Sequence, residues 1–197
     1  MPKVSEEHRL ARREQILVAA SRCVAREGFH KTTMADVIRE AGLSAGAVYG
    51  YFKGKNDIIR AIAERSIGQV PHLLHDLVER AEPVHPADAV EVFLERMTAI
   101  IEETGGDMPR VGVQAWAEAA RDPEIHAVAM EQMGAVRSAL EDVVRRAQRD
   151  GTMSAEADPR AVAQVLFALL PGYVLELVVL QDVTPASYVA GLRALLR

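Results

Sequence analysis

Helix punctuation bounds every long apolar stretch of this chain. Proline follows His85, Asp122, Asp158 and Thr184, which puts a residue with fixed φ and no amide hydrogen where a first helical turn tolerates it. Asp122, Asp158 and Thr184 are then the N-caps. Glycines at 28, 42, 105-106 and 151 supply matching stops. Between these marks apolar residues recur at three- and four-residue spacing and β-branched alternation is scarce, so the sequence predicts helices over 8–27, 33–41, 44–52, 55–80, 86–104, 109–120, 123–150, 159–181 and 185–196. No sheet is expected. Gly105-Gly106-Asp107 is the one linker-like stretch, and neither a repeat nor a low-complexity segment is visible.

At 197 residues the chain is long enough to bury a core without staples. Apolar residues at 49% and charged residues at 26% fit a globular protein, and only four Phe, four Tyr and one Trp leave the packing to aliphatic side chains. A single cysteine, Cys23, allows neither an internal disulfide nor a Cys-based zinc site, so a reducing cytoplasm is expected. The charged start lacks the apolar stretch of a secretory signal. The apolar window 161–180 is interrupted by Gln164, Pro171-Gly172 and Glu176, so no membrane segment is expected.

The net charge of −5 hides an asymmetry. Residues 1–60 carry 11 Lys/Arg against 7 Asp/Glu, a net of +4, whereas residues 61–197 carry 12 against 21, a net of −9. A basic front suits phosphates and an acidic body suits solubility. Uneven surface charge with no partner accounts for the same numbers.

The sharpest local pattern lies in that front. Ile16, Ala20, Cys23 and Val24 share a helical stripe that ends at Gly28 with Phe29 as an apolar anchor. Thr33-Met34-Ala35-Asp36 then reads as a capping box with Asp in place of the usual Glu or Gln, and Met34, Val37, Ile38 and Ala41 face inward behind it. The helix stops at Gly42, and Ser44 caps a short helix running to Phe52. Two brief helices across a glycine turn form a helix-turn-helix pattern.

The run GFHKTTMADVIREAGLSAGAVYGYFKGKNDII closely resembles the N-terminal signature of the TetR family of bacterial transcriptional regulators. Gly28-Phe29, Thr33, Ile38, Ala41-Gly42, Ser44, Tyr49, Tyr51-Phe52, Lys55 and Ile58 carry the likeness, over roughly residues 10–60. The resemblance implies an all-α chain with a three-helix DNA-binding domain at 1–54 and a helical ligand-binding and dimerisation domain at 55–197. It also assigns Tyr49 and Lys55 to phosphates and puts Ala45, Gly46 and Ala47 against base edges.

On physical grounds, Thr33 and Ser44 bring hydroxyl and amide donors to phosphate oxygens at helix N-termini. Tyr49, Tyr51, Lys53 and Lys55 cluster where the second helix would meet DNA, and Lys55 at a helix front opposes the dipole unless an anion is near. Phe52 reads as a core aromatic anchoring this helix, and Tyr51 reads either as a core aromatic or as a DNA contact. Ala45, Gly46 and Ala47 offer bases no side-chain hydrogen bond. Gly50 and Gly54 depart from the family's bulkier and capping residues. Specificity then rests on Lys53, Tyr49, DNA shape, or an arm bearing Arg9, Arg12 and Arg13 in the minor groove, arginines that equally suit a solvated helix face.

The body has the residues of an adaptable apolar pocket, with Phe93, Met97, Trp116 and Met130 as lining candidates and Gln114 and Tyr173 as polar handles. His75 and Glu118 are further handles, although the same side chains would also fill a solid core. A lipophilic effector is expected, and the acidic balance leans toward a cationic one. His72 and His75 with Asp76 fall short of a metal site, so no metal and no cofactor is expected. The helices 159–181 and 185–196 are apolar on nearly every face and suit pairing with a second copy, or burial within the chain. No phosphate loop or nucleophile elbow suggests an enzyme. The reading is a homodimeric, ligand-released repressor on a palindromic operator, and its rival is a helical carrier or interaction protein without specific DNA binding.

Overall fold

The computed structural model describes residues 6–104 and 106–196. Gly105 of the expected linker lies outside them. Among the described residues there are ten α-helices and no strand: α1 (Glu6–Glu27), α2 (Met34–Ala41), α3 (Ala45–Tyr51), α4 (Lys55–Ile67), α5 (Val70–Val78), α6 (Pro86–Thr104), α7 (Met108–Ala119), α8 (Pro123–Arg149), α9 (Pro159–Val179) and α10 (Pro185–Leu195). The expected caps form. Asp122 accepts from the Glu124 and Ile125 amides, Asp158 from Arg160, and Thr184 makes a capping box with Ser187.

The helix expected over 55–80 is two helices. Pro71 has no amide hydrogen for the Ile67 carbonyl and its ring crowds that turn, so α4 ends at Ile67 and α5 restarts with proline in its first turn. Pro171, by contrast, sits inside α9 without ending it. By length and composition alone α9 is apolar enough to cross a membrane, contrary to the reading of that stretch as too interrupted. Its apolar surplus faces outward here: Val165, Leu175 and Val179 are exposed, as are Leu180 just beyond it and Leu195 of α10.

Two apolar cores hold the helices together. Leu74, Leu94, Leu140 and Leu166, from α5, α6, α8 and α9, are fully buried in one. The other joins Ile16, Leu17, Val37, Val48 and Phe52 of the first three helices and their edge to Ile100, Met108 and Ile125 of the body. Burying a side chain of this size contributes on the order of 1.5–3 kcal/mol. The first three helices are therefore packed onto the body rather than tethered to it. Cys23 is fully buried on α1, and burial pushes its thiol above the ordinary value.

Candidate DNA interface and ligand cavity

The helix pair α2–α3 forms as its sequence dictates. The Thr33 side chain accepts from the Asp36 amide while the Asp36 carboxylate accepts from the Thr33 amide at 2.9 Å, completing the box. Gly42 adopts φ 64°, a left-handed conformation that closes α2, with its amide donating to the Arg39 and Ile38 carbonyls. Ser44 then caps α3 by accepting from the Ala47 amide at 3.2 Å. Val48, fully buried, and Phe52 pin α3 inward.

That anchoring leaves Ser44, Ala45, Gly46, Tyr49 and Lys53 exposed together on the outer face, with Ala47 half-buried beside them. Tyr51 is half-buried against the core, so it takes the packing role of the two open to it. Thr33 is exposed, but its hydroxyl donates to Asp36 at 2.6 Å. Its side chain is thus committed to the cap, and a phosphate there would meet the first-turn amides. The Thr33 hydroxyl, and then its backbone amide, hold the Asp36 carboxyl below the ordinary carboxylate value.

Lys55 has a partner that the sequence does not reveal. Its Nζ donates to the Phe29 carbonyl at 2.7 Å, relieving the conflict with the α4 dipole without an anion. Gly54 gives α4 no side-chain cap, and the Asp57 carboxylate instead binds the Lys53 amide at 2.9 Å. The expected arginine arm is helical: Arg9, Arg12 and Arg13 all lie in α1. Arg12 donates to Gln15 at 2.7 Å, and the Arg13 guanidinium stacks 5.5 Å from the Phe52 ring centroid. Gln15, which sequence reasoning passed over, donates to the Ala41 carbonyl at 2.8 Å and ties α1 to the end of α2.

Behind this face lies a cavity of about 160 Å³ between α4, α6, α7, α8 and α9. Phe93, Met97 and Trp116 line it as expected, with Trp116 edge-on to Phe167 at 6.0 Å between ring centroids. The other three expected residues do not. Met130 is on the outside of α8, 60% exposed. Tyr173 is buried but packs edge-on against Tyr188 at 5.2 Å. Gln114 turns toward the α1–α2 corner, its Oε1 3.7 Å from where a Gly28 side chain would begin. The phase of each helix relative to its neighbours decides such placements, and one sequence does not carry it.

The lining has no acidic or basic side chain; its polar side chains are Ser66 and Gln132, with the indole of Trp116. The lean toward a cationic effector is therefore corrected, because the acids of the body lie elsewhere. Of the further expected handles, Glu118 is buried and meets His30 at 3.1 Å, while His75 is exposed, and neither lines the cavity. Phe29 and five α4 residues, Ile59, Ile62, Ala63, Ser66 and Ile67, form one wall. The same helix is bound to its surroundings by charge: Arg65 meets Glu14 of α1 at 2.6 Å and Glu103 of α6 at 3.7 Å, and Arg60 meets Glu131 of α8 at 2.9 Å.

Residues 16–62 match the family described as bacterial regulatory proteins, tetR family, and residues 95–197 match the BetI-type transcriptional repressor C-terminal family. The chain belongs to the TetR family of transcriptional regulators. The regulator UidR of Escherichia coli is 24% identical over 184 residues, covering 93% of this chain and 90% of that protein. The uncharacterized regulator YfiR of Bacillus subtilis is 32% identical over 123 residues, covering 62% of this chain but only 58% of YfiR. Among solved structures, FadR of Bacillus subtilis in complex with stearoyl-CoA shares the fold with a TM-score of 0.74 at 20% identity, covering 93% of this chain and 96% of that one. An all-α regulator with an N-terminal helix-turn-helix and a helical C-terminal body is thus the architecture of this TetR-family chain.

Proposed function

We propose that this chain is a homodimeric repressor that binds a palindromic operator and leaves it when a small lipophilic compound occupies the cavity. The observation that carries the reading is the shared wall. Phe29, next to the helix-turn-helix, and α4, which follows directly from it, both line the cavity. An occupant therefore touches the elements that aim α3. Residues 1–54 serve as the reading head and 55–197 as the body, with α4 as the lever between them.

Within the head, the exposed Ser44, Ala45, Gly46, Tyr49 and Lys53, with the half-buried Ala47 among them, meet DNA. Ser44 retains a hydroxyl proton for phosphate while its oxygen caps α3, and Tyr49 is free to reach the backbone. Alanine and glycine let α3 approach base edges closely, so discrimination falls on methyl contacts and on DNA shape.

Dimerisation uses the outward apolar residues of α9 and α10. Val165, Leu175, Val179 and Leu195 are a costly surface for a monomer and a self-complementary one for two copies. Two-fold pairing requires recognition helices roughly 34–36 Å apart, or a multiple of that. An effector releases DNA only to the extent that it prefers the other spacing of the heads. The stearoyl-CoA complex of FadR supports a ligand role for a body of this fold. A repressor that acts on operator DNA works in the cytoplasm, and that is the location this reading assigns to the chain.

Selection of bound DNA from a random pool tests this reading. A palindromic consensus is expected. A pool with no enriched sequence, from folded protein that still binds a lipophilic compound in its cavity, would leave the helical carrier as the better reading.

A further inference from the structure

The cavity is open on one side, and residues at its mouth adjoin the outward apolar strip of α9. Trp116 lines the cavity and is 39% exposed, so it stands at the rim. Its ring meets Phe167 of α9, another lining residue, edge-on. On α9, Gln164, Ala168, Pro171, Leu175 and Val179 follow one another at three- and four-residue steps, which lays them along one side of the helix. All but Pro171 are exposed, and Pro171, half-buried among them, lines the cavity. The rim and the strip are therefore one surface, and a body lying along the strip also reaches the mouth.

The chemistry of the strip selects its cover. None of these five side chains is charged, although residues 61–197 carry 12 Lys/Arg against 21 Asp/Glu, a net of −9. A basic partner would find no acid on the strip to hold it, and an anionic lipid surface would be repelled by the acidic body around it. Two copies of that body meet with least repulsion where charge is missing from both, and a two-fold axis through the strip meets the condition on each side. Ala168 and the adjacent Gly172 are small, so two α9 helices can approach closely there. The open mouth matters to the occupant as well. A lipophilic compound that protrudes past Trp116 keeps apolar surface in water, and covering on the order of 50 Å² more of it raises affinity about tenfold.

We propose that a second copy of this chain completes the cavity, its α9 lying across the mouth at Trp116 and Pro171, so that the effector site is whole only in the dimer. The inference rests on the homodimeric reading above, and by linkage an occupant strengthens the dimer in turn.

Trp116 is the only tryptophan, so acrylamide quenching of its fluorescence reads the cover without any ligand. Parent protein at micromolar concentration is compared with Val179→Asp, a change two turns along α9 from Pro171 and outside the cavity lining. Sedimentation and far-ultraviolet circular dichroism are taken on the same samples, and dilution of the parent through its dissociation range repeats the comparison without a substitution. The parent should be a dimer whose Trp116 is quenched at least about threefold less readily than in the equally helical monomer. N-phenylnaphthylamine, an uncharged lipophilic fluorophore, should bind the parent about tenfold more tightly than the monomeric variant. A parent dimer whose Trp116 is quenched as readily as the monomer's, or equal affinity of both for the fluorophore, would overturn the closure and leave the dimer standing. A monomeric parent would remove the dimer and the closure with it. Shielding of Trp116 that appears only with phosphatidylglycerol vesicles would give the strip to lipid and overturn the closure too.

Discussion

Lys55 is held by a carbonyl yet keeps two ammonium protons free, which decides what its loss should do. With its Nζ on Phe29 it fastens the front of α4 to the corner after α1, and the remaining donors have no partner among the described residues. Lys55→Ala should therefore weaken binding to all DNA sequences alike and reduce the slope of log affinity against log salt by about one unit. Fluorescence anisotropy over a salt series reads the slope, and an unchanged slope would confine Lys55 to the fastening role. Residue roles were legible where partners are close in sequence: Thr33 and Asp36, or Ser44 and Ala47, sit one helical turn apart and announce their bonds. The Phe29 partner of Lys55 and the Ala41 partner of Gln15 are each 26 positions away. Nothing local encodes such pairs, because only the packing of α1 against α2 and α4 brings them together.

Among the elements, the joint between α4 and α5 is the most sensitive to a single atom. A Cβ placed on Gly68 would stand 2.4 Å from the Glu64 carbonyl oxygen, a backbone atom that moves only with the last turn of α4. Gly68→Ala should cost about 1–3 kcal/mol by overpacking, read from urea unfolding. A variant as stable as the parent would mean that this turn relaxes freely. Helix ends marked by Asp-Pro, Thr-Pro or a left-handed glycine were readable from composition and spacing. The two internal prolines were not separable that way. Pro71 acts next to Gly68, where helix tendency is already low, and breaks the chain. Pro171 lies in a helix packed against α6, α7 and α8, and that packing outweighs the missing hydrogen bond.

For the whole molecule, the decisive surface is the one left over. Leu175 and Val179 are 50% and 64% exposed one turn apart on α9, so they form a continuous apolar strip. Leu175→Asp would place a charge at its centre without disturbing either core. Sedimentation at micromolar concentration should then show a dimer for the parent and a monomer for the variant, with operator affinity lost alongside. A parent that sediments as a monomer would remove both the dimer and the palindrome. The all-helical layout was legible from the punctuation, and the outward strip from the excess of apolar residues over what one chain can cover. The cavity was legible only in part. Phe93, Met97 and Trp116 were found because they are large and apolar; Met130 is equally apolar and points to solvent, a matter of rotation about the α8 axis that composition does not record.

The thiol of Cys23 is shielded twice, by fully buried surroundings and by a raised pKa that keeps it protonated. Alkylation of the native protein must wait for α1 to lift from its neighbours, so the reaction works as a clock paced by the fraction of time α1 stands open. Iodoacetamide should label the native chain about a hundredfold or more slowly than the urea-unfolded one. Operator DNA, by clamping the head, should slow the clock again. Rates that match in native and unfolded protein would mean that α1 is not closed over its cysteine.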